Sequence, residues 1–168
     1  MPANSKIPQI SIVIPCYKQP VELKNCLAAL HDQKCDLDYE IIVVDSEPSE
    51  IIRDVAKNFP EIKLIRGADN LKPGAARNLG VKDARSEYIA FIDSDCIPNE
   101  HWLQQAFESL EKGHKLVGGP IVDRLPLHPI SSIDNLLQFV DFSAKRPSGI
   151  AEHIPAGNSA VPKEVFNS

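Results

Sequence analysis

The chain has 168 residues, with 18 Lys and Arg against 23 Asp and Glu, a net charge of −5 and four cysteines. This composition gives no general attraction to nucleic acid, no apolar run reaches the roughly 20 residues that span a membrane, and no apolar signal core follows the start. The length suits one domain. Because the cysteines lack metal-ligand spacing, we expect reduced thiols in a cytoplasmic protein. Any membrane contact would be peripheral, at the inner face.

Strands and helices alternate over the first 92 residues. Apolar, β-branched runs predict strands at 9–14 (closed by Pro15), 40–44, 63–66 and 88–92. Helical spacing predicts one helix that begins near Pro20, one that ends before Pro60 and one over 74–81. The apolar residues that mark the first two helices are Leu23, Cys26, Leu27 and Leu30, then Ile51, Ile52, Val55 and Phe59. Such alternation favours a parallel sheet with helices on both faces.

The remaining elements are less regular. A helix stopped by Gly113 follows from the spacing of Trp102, Leu103, Ala106, Phe107 and Leu110. Strands are predicted at 115–117 and 121–122, and a loop at 143–149. One more helix is predicted from Ile133, Leu136, Leu137 and Val140.

An acidic tripeptide, Asp93-Ser94-Asp95, follows the last residue of a buried strand, where open α/β sheets bind ligands. Two hard oxygen ligands there suit Mn²⁺ or Mg²⁺, which bind one or two carboxylates plus substrate phosphates. The alternative is a solvated acidic loop. Phosphatases of the haloacid dehalogenase type also use D-x-D, but on their opening strand, so the fit to them is poor.

The turn after the first strand, Pro15-Cys16-Tyr17-Lys18, has no glycine, which excludes dinucleotide-binding and P-loop sites. Tyr17 either stacks on a nucleobase or packs at the strand end. Asp45, at the tip of the second strand, is either a helix N-cap or, beside Tyr17, an acceptor for the imide N–H of uracil. Arg77 either faces an anion near the strand tips or is solvated.

The five histidines have no metal-ligand spacing among themselves. His153 precedes 154–160, a segment of small residues suited to close substrate approach, and is either a substrate contact or a solvated loop residue.

Five motifs in this order resemble the family 2 glycosyltransferases, which have the GT-A fold: 11–18, 40–46, 74–80, 88–95 and 155–161. The resemblance implies a Rossmann-like, three-layer α/β/α domain with a mainly parallel central sheet. It also implies inverting transfer of a sugar from a nucleotide-sugar, commonly a UDP-sugar, to a saccharide, lipid or protein acceptor. A Mn²⁺ or Mg²⁺ cofactor and a role in cell-wall or polysaccharide synthesis follow from the same resemblance.

The resemblance also implies a role for individual residues. Pro15, Tyr17 and Asp45 would hold the base, and Arg77, Asn78 and Ser94 would lie near the nucleotide. Asp93 would meet the ribose or the metal shell, and Asp95 would be the principal metal ligand. Gly157 and Asn158 would approach the sugar or acceptor, with His153 as a further candidate. Departures from the family pattern at Cys16, Lys18, Glu47 and Pro48 leave GDP and dTDP open beside UDP.

The family's catalytic base is an acidic residue soon after the segment at 157–158. No residue up to Ser168 matches it, and Glu164 comes too early. We therefore expect 1–168 to be one catalytic domain, complete in its nucleotide-sugar half and truncated in its acceptor half. The alternatives are a non-catalytic nucleotide- or sugar-binding module of the same fold and, third, a metal-dependent phosphatase.

Overall fold

The computed structural model describes residues 6–46, 50–68, 70–122, 142 and 147–166. The strands are β1 (Ile10–Cys16), β2 (Tyr39–Asp45), β3 (Ile62–Arg66), β4 (Tyr88–Ile92), β5 (Val117–Gly118) and β6 (Asn158–Pro162). The helices are α1 (Pro20–His31), α2 (Glu50–Ala56), α3 (Pro73–Asp83), α4 (Trp102–Glu111) and α5 (Lys163–Phe166). The helix predicted between 133 and 140, and residues 143–146 of the predicted loop, lie outside the described residues.

Within these ranges the strands form one sheet in the order β3-β2-β1-β4-β6-β5. Strands β1 to β4 are parallel, and β6 runs antiparallel to β4 and β5. The predicted mainly parallel sheet is confirmed. Since β2 and β4 flank β1 on opposite sides, the carboxyl ends of β1 and β4 form the switch point at which α/β sheets open a crevice.

The sheet is covered on both faces, as predicted. Helices α1, α2 and α4 pack on one face, against β1 residues such as Ile12 and Ile14. Helices α3 and α5 pack on the other face, against Val13 and Phe91. Strand β1 is buried along its whole length, so its alternate apolar residues pack into the core on opposite faces of the sheet.

The extent of one strand and the burial of one helical residue differ from the prediction. Strand β1 continues through Pro15, because the ladder between β1 and β4 ends at Val13 and only β2 pairs with the proline. A proline is tolerated where a strand is paired on one side. In α2, Ile52 is buried but Ile51 is 63% exposed, since adjacent helical residues point about 100° apart.

The predicted strand at Ile121 and Val122 is wrong. Strand β5 ends at Gly118, and the Asn158 Nδ2 donates a hydrogen bond to the Pro120 carbonyl (3.1 Å) where a ladder bond would otherwise continue. The structure contains a strand that was not predicted from the sequence, β6. Its sequence, NSAVP, has little strand propensity, so its pairing with β4 rather than local preference stabilises it.

Helix α3 lies close to the sheet because two of its three buried residues, Ala76 and Gly80, are small. A Cβ atom at Gly80 would lie 2.4 Å from Val13 Cγ1, well inside van der Waals contact. Gly74, in the first turn of the same helix, has no atom within 4 Å of the corresponding position.

We therefore predict that Gly80→Ala lowers the free energy of unfolding by about 1–3 kcal/mol, because the methyl group forces α3 away from β1. Gly74→Ala is the matched control and should leave stability unchanged or raise it by up to about 1 kcal/mol. Urea denaturation followed by circular dichroism measures both, and equal effects of the two substitutions would contradict the close packing at Gly80.

A polar cluster joins β1, β2 and the segment before β4 at the amino end of the sheet. Glu40 Oε1 accepts hydrogen bonds from Ser11 Oγ (2.6 Å) and the Arg85 backbone N–H (2.7 Å), and Glu40 Oε2 accepts one from Arg85 Nε (2.9 Å). Burial alone would raise the pKa of Glu40. The hydrogen bonds from Ser11 and Arg85, with the Arg85 charge, outweigh burial and hold the pKa below its ordinary value.

A carboxyl whose pKa is lower in the folded state stabilises the fold above its unfolded-state pKa, and this contribution is lost as the pH falls through the folded pKa. Glu40→Gln should therefore lower the free energy of unfolding by about 1–3 kcal/mol at pH 7. The difference in the free energy of unfolding between the variant and the unsubstituted chain should become smaller as the pH falls and Glu40 becomes protonated. Denaturation at pH 7 and pH 3 tests this, with the exposed Glu50→Gln as control; a gap of equal size at both pH values would contradict it.

Candidate functional site

The carboxyl ends of β1 and β4 and the start of α3 enclose a cleft of about 420 Å³. It is lined by Pro15, Cys16, Tyr17, Gln19, Ser46, Asn70, Leu71, Lys72, Pro73, Arg77, Asp93, Ser94 and Asp95. Six of the residues expected at a site are thus brought together: Pro15, Tyr17, Arg77, Asp93, Ser94 and Asp95. The cleft lies at the switch point of the sheet, where ligands of such folds bind.

Tyr17 presents its ring at one end of the cleft and is 46% exposed. Lys18, the next residue, has a left-handed backbone (φ 52°), and its Nζ lies 5.2 Å from the centre of the Tyr17 ring. The geometry is that of a cation–π contact. An exposed aromatic ring beside a cation offers a surface for a planar, anionic ligand.

Asp45 lies behind this end of the cleft. It is 1% exposed, and the residue that reaches the lining is its neighbour Ser46. The backbone here is fixed by two hydrogen bonds, from the Ser46 N–H to the Cys16 carbonyl and from the Gly67 N–H to the Asp45 carbonyl (both 2.8 Å). The structure therefore brings Ser46, rather than Asp45, to the lining beside Tyr17.

Asp93 is held from two sides at the tip of β4. Arg77 Nη2, on a side chain that is 13% exposed, donates to Asp93 Oδ1. The Asp93 N–H donates to the Gly157 carbonyl (3.2 Å), and a Cβ at Gly157 would lie 2.2 Å from Asp93 Oδ2. Arg77 Nε has no hydrogen-bond partner in the described part of the chain. The guanidinium thus retains a buried donor beside the cleft.

Asp95 is an exposed residue of the cleft lining, whereas the Asp93 side chain is 39% exposed and is paired with Arg77. Between them, Ser94 is 2% exposed, and its hydroxyl donates to Gln19 Oε1 (2.6 Å). Burial, then the charges of Asp95 and Asp93, raises the pKa of the adjacent Cys96 thiol to about 11. Burial likewise raises the pKa of Cys16 to about 11, so this lining thiol is neutral near pH 7.

A divalent cation fits this site only together with a ligand. The described residues contain no group of three or more His, Cys, Asp and Glu placed to hold a metal ion. Mn²⁺ and Mg²⁺ nevertheless bind through one or two carboxylates when substrate phosphates supply the remaining oxygens. Asp95, with Asp93 beside it, suits such a shared site.

Five expected residues do not line the cleft: Asp45 and Gly157, whose positions are given above, and Asn78, His153 and Asn158. Asn78 faces a separate depression, together with Lys82, Lys163 and Phe166. His153 packs edge-on against the ring of Phe142. Asn158 uses its side chain in the fold, where Oδ1 accepts from Trp102 Nε1 (2.9 Å) and Nδ2 donates to the Pro120 carbonyl.

Seven lining residues were not predicted as site residues: Cys16, Gln19, Ser46, Asn70, Leu71, Lys72 and Pro73. Asn70 adopts a left-handed conformation (φ 58°), for which Asn is a favoured residue, and Lys72 directly precedes the proline that begins α3. These local signals mark a turn and a helix start. They do not reveal that the turn lies beside Asp93, which depends on the strand order.

A family model described as "Glycosyl transferase family 2" matches residues 11–130. Among curated proteins, the chain is 28% identical over 124 residues to glycosyltransferase AglE of Haloferax volcanii, covering 70% of this chain and 41% of that protein. It is 39% identical over 105 residues to the chondroitin synthase of Escherichia coli, covering 60% of this chain and 15% of that protein. The chain thus spans less than half the length of either relative.

Solved structures with the same fold carry nucleotide ligands. A mannosyltransferase from Pyrobaculum calidifontis, in complex with GDP-Man and Mn²⁺, matches with a TM-score of 0.67 at 20% identity, over 97% of this chain and 47% of that one. S. aureus TarS in complex with UDP matches with a TM-score of 0.59 at 23% identity, over 68% of this chain and 36% of that one.

The structure also bears on membrane-spanning helices and on the state of the cysteines. No helix in the described ranges is both long and apolar enough to cross a membrane. All four cysteines, Cys16, Cys26, Cys35 and Cys96, are free thiols.

The contact between Gly157 and Asp93 predicts a coupling that double substitution can measure. Gly157→Ala should destabilise the chain by about 1–3 kcal/mol, because the new methyl group overlaps the Asp93 carboxylate. In an Asp93→Ala background the same change should cost less, since the overlapping atoms are gone. Additive effects in a denaturation double-mutant cycle would contradict the contact.

Proposed function

Because this chain belongs to glycosyltransferase family 2, we propose that its cleft binds the nucleotide and diphosphate of a sugar donor and that the protein transfers the sugar to an acceptor. The GT-A fold expected from the sequence is confirmed by the match to solved glycosyltransferases. One observation carries the proposal: a single cleft joins the exposed ring of Tyr17, the exposed carboxylate of Asp95 and the nearly buried guanidinium of Arg77.

The proposed donor lies along the cleft with its base at the Tyr17 end. The base stacks on Tyr17 near Pro15 and Ser46, which needs no glycine-rich turn. The diphosphate points toward Arg77 and Asp95 at the other end. Lys72 also lines the cleft and adds a second positive charge to it.

We propose UDP as the nucleotide, with GDP and dTDP as the competing outcomes. TarS has been solved with UDP and with UDP-GlcNAc, which supports a uridine donor, whereas the mannosyltransferase was solved with GDP-Man. In this proposal Asp45, which lies behind Ser46, accepts a hydrogen bond from the imide N–H of uracil.

Asp95 would hold the divalent cation, and Asp93 would support it. When bound, Mn²⁺ or Mg²⁺ stabilises the departing diphosphate as a Lewis acid. The Mn²⁺ in the structure of the mannosyltransferase supports this role for the family's fold. Arg77 keeps Asp93 in place and, through its unpartnered Nε, offers one more donor for a phosphate oxygen.

In the proposed transfer, an acceptor hydroxyl oxygen bonds to the anomeric carbon on the face opposite the phosphate. The bond from that carbon to the phosphate oxygen breaks, and its electron pair leaves with the nucleoside diphosphate, so the configuration inverts. The hydroxyl proton passes to a general base. Asp93 and Asp95, the carboxylates of the described cleft lining, serve the donor in this proposal, so the base is a different group.

Calorimetric titration with UDP tests the proposal. Mn²⁺ should increase the affinity for UDP at least about tenfold, because the cation adds bonds to both the phosphates and Asp95. Asp95→Asn should abolish the increase. Asp36→Asn, at an exposed position in the connection between α1 and β2, is the matched control and should retain it.

The proposal fails if UDP, GDP and dTDP all leave the chain unbound in the presence of Mn²⁺ and Mg²⁺. A metal effect that survives Asp95→Asn would contradict the role of this carboxylate. Nucleotide binding without transfer by the full-length protein would favour a non-catalytic binding module instead.

A further inference from the structure

The Gln19 side chain links two loops that follow the neighbouring strands β1 and β4 and that both line the cleft. Gln19 lies between β1 and α1, next to the turn that carries Tyr17, and Ser94 lies 75 residues later, in the turn after β4. The Ser94 hydroxyl donates to Gln19 Oε1 at 2.6 Å. Both residues line the cleft, so this hydrogen bond joins two parts of its lining.

The fold of α1 does not require this side chain. Gln19 occupies the N-cap position of α1, where a side chain normally accepts a hydrogen bond from the first helical turn, yet it makes no such bond. Pro20 follows it and has no N–H to satisfy, and the Leu23 N–H is bound by the Gln19 backbone carbonyl (2.9 Å). The amide is therefore available for the contact across the cleft.

On the other side of the contact, Ser94 separates two carboxylates that are supported differently. Asp93 is fixed by Arg77 and by the Gly157 backbone. Asp95 is exposed, and its Oδ1 receives only a weak contact from Cys96 Sγ at 3.9 Å among the hydrogen bonds described. The buried Ser94 is thus the anchor of the backbone from which Asp95 projects.

We infer that Gln19 is a positioning residue for Asp95. Its hydrogen bond to Ser94 holds the turn after β4 in the orientation in which the Asp95 carboxylate faces a cation bound to the donor diphosphate. Groups that orient a metal ligand from behind typically affect metal affinity strongly. This inference rests on the proposed function, since it assumes that Asp95 binds a cation together with a nucleotide.

The test compares UDP affinity with and without Mn²⁺ in four variants: Gln19→Leu, Ser94→Ala, the double variant and Gln105→Leu. The readout is the ratio of the two affinities. General damage to the cleft weakens both affinities and leaves this ratio unchanged, whereas a misplaced Asp95 lowers it. Circular dichroism confirms that each variant is folded.

Each single substitution should reduce the ratio about threefold to tenfold, which is the range expected for one lost hydrogen bond. The double variant should show no larger loss than either single variant, because both remove the same contact. Gln105→Leu, at an exposed glutamine on α4, should keep the full ratio.

The inference is overturned if Gln19→Leu keeps the full ratio or if the two losses multiply in the double variant. These results differ from failure of the proposed function. If the unsubstituted chain binds none of UDP, GDP and dTDP in the presence of Mn²⁺ or Mg²⁺, the proposed function fails. If UDP binds but its affinity does not respond to Mn²⁺, the inference is overturned while nucleotide binding stands.

Discussion

The close contact between α3 and β1 at Gly80 is the constraint on which the cleft depends. Only a hydrogen atom fits between the Gly80 backbone and Val13. Arg77 lies three residues earlier on this helix, so the same close approach sets the distance from its guanidinium to the tip of β4. A larger residue at the contact would move Arg77 away from Asp93. A packing requirement in the core thus determines the electrostatics at the sheet edge.

A second steric requirement completes the arrangement. Gly157 leaves the space that the Asp93 carboxylate occupies, and its carbonyl accepts the Asp93 N–H. With Arg77 on the other side, Asp93 carries an internal partner and little freedom to move. Asp95 retains an exposed carboxylate. The two aspartates therefore have different roles: Asp93 maintains the structure of the site, and Asp95 can contact a ligand.

The electrostatic balance of the cleft follows from this division. Arg77 compensates the charge of Asp93, and burial keeps the Cys16 thiol neutral. The uncompensated anionic group of the described lining is then Asp95. A single carboxylate is a poor site for an isolated cation but a suitable one for a cation that arrives with a diphosphate. The account therefore favours joint binding of metal and nucleotide.

The sequence predicted the parallel part of the fold because a fully apolar strand followed by an amphipathic helix has few other solutions. Residues at strand tips, such as Tyr17 and Asp95, were identified for the same reason. Asn78 and Asn158 lie outside the cleft lining, and motif membership alone does not indicate which side of a helix or strand faces the cleft. Gln19 could not be predicted, since its partner Ser94 is distant in the chain. Strand β6 escaped notice because its pairing, and not its composition, makes it a strand.

Joint binding of metal and nucleotide in the cleft can be tested by paramagnetic broadening of the backbone amide signals by Mn²⁺, recorded with and without UDP. Mn²⁺ broadens signals near its binding site. If metal and nucleotide bind jointly, broadening is selective for the residues around Asp95 and around Tyr17 and Gln19, which line the same cleft, and it occurs only when UDP is present. Broadening that is independent of UDP, or that is centred on acidic residues remote from the cleft, would contradict joint binding.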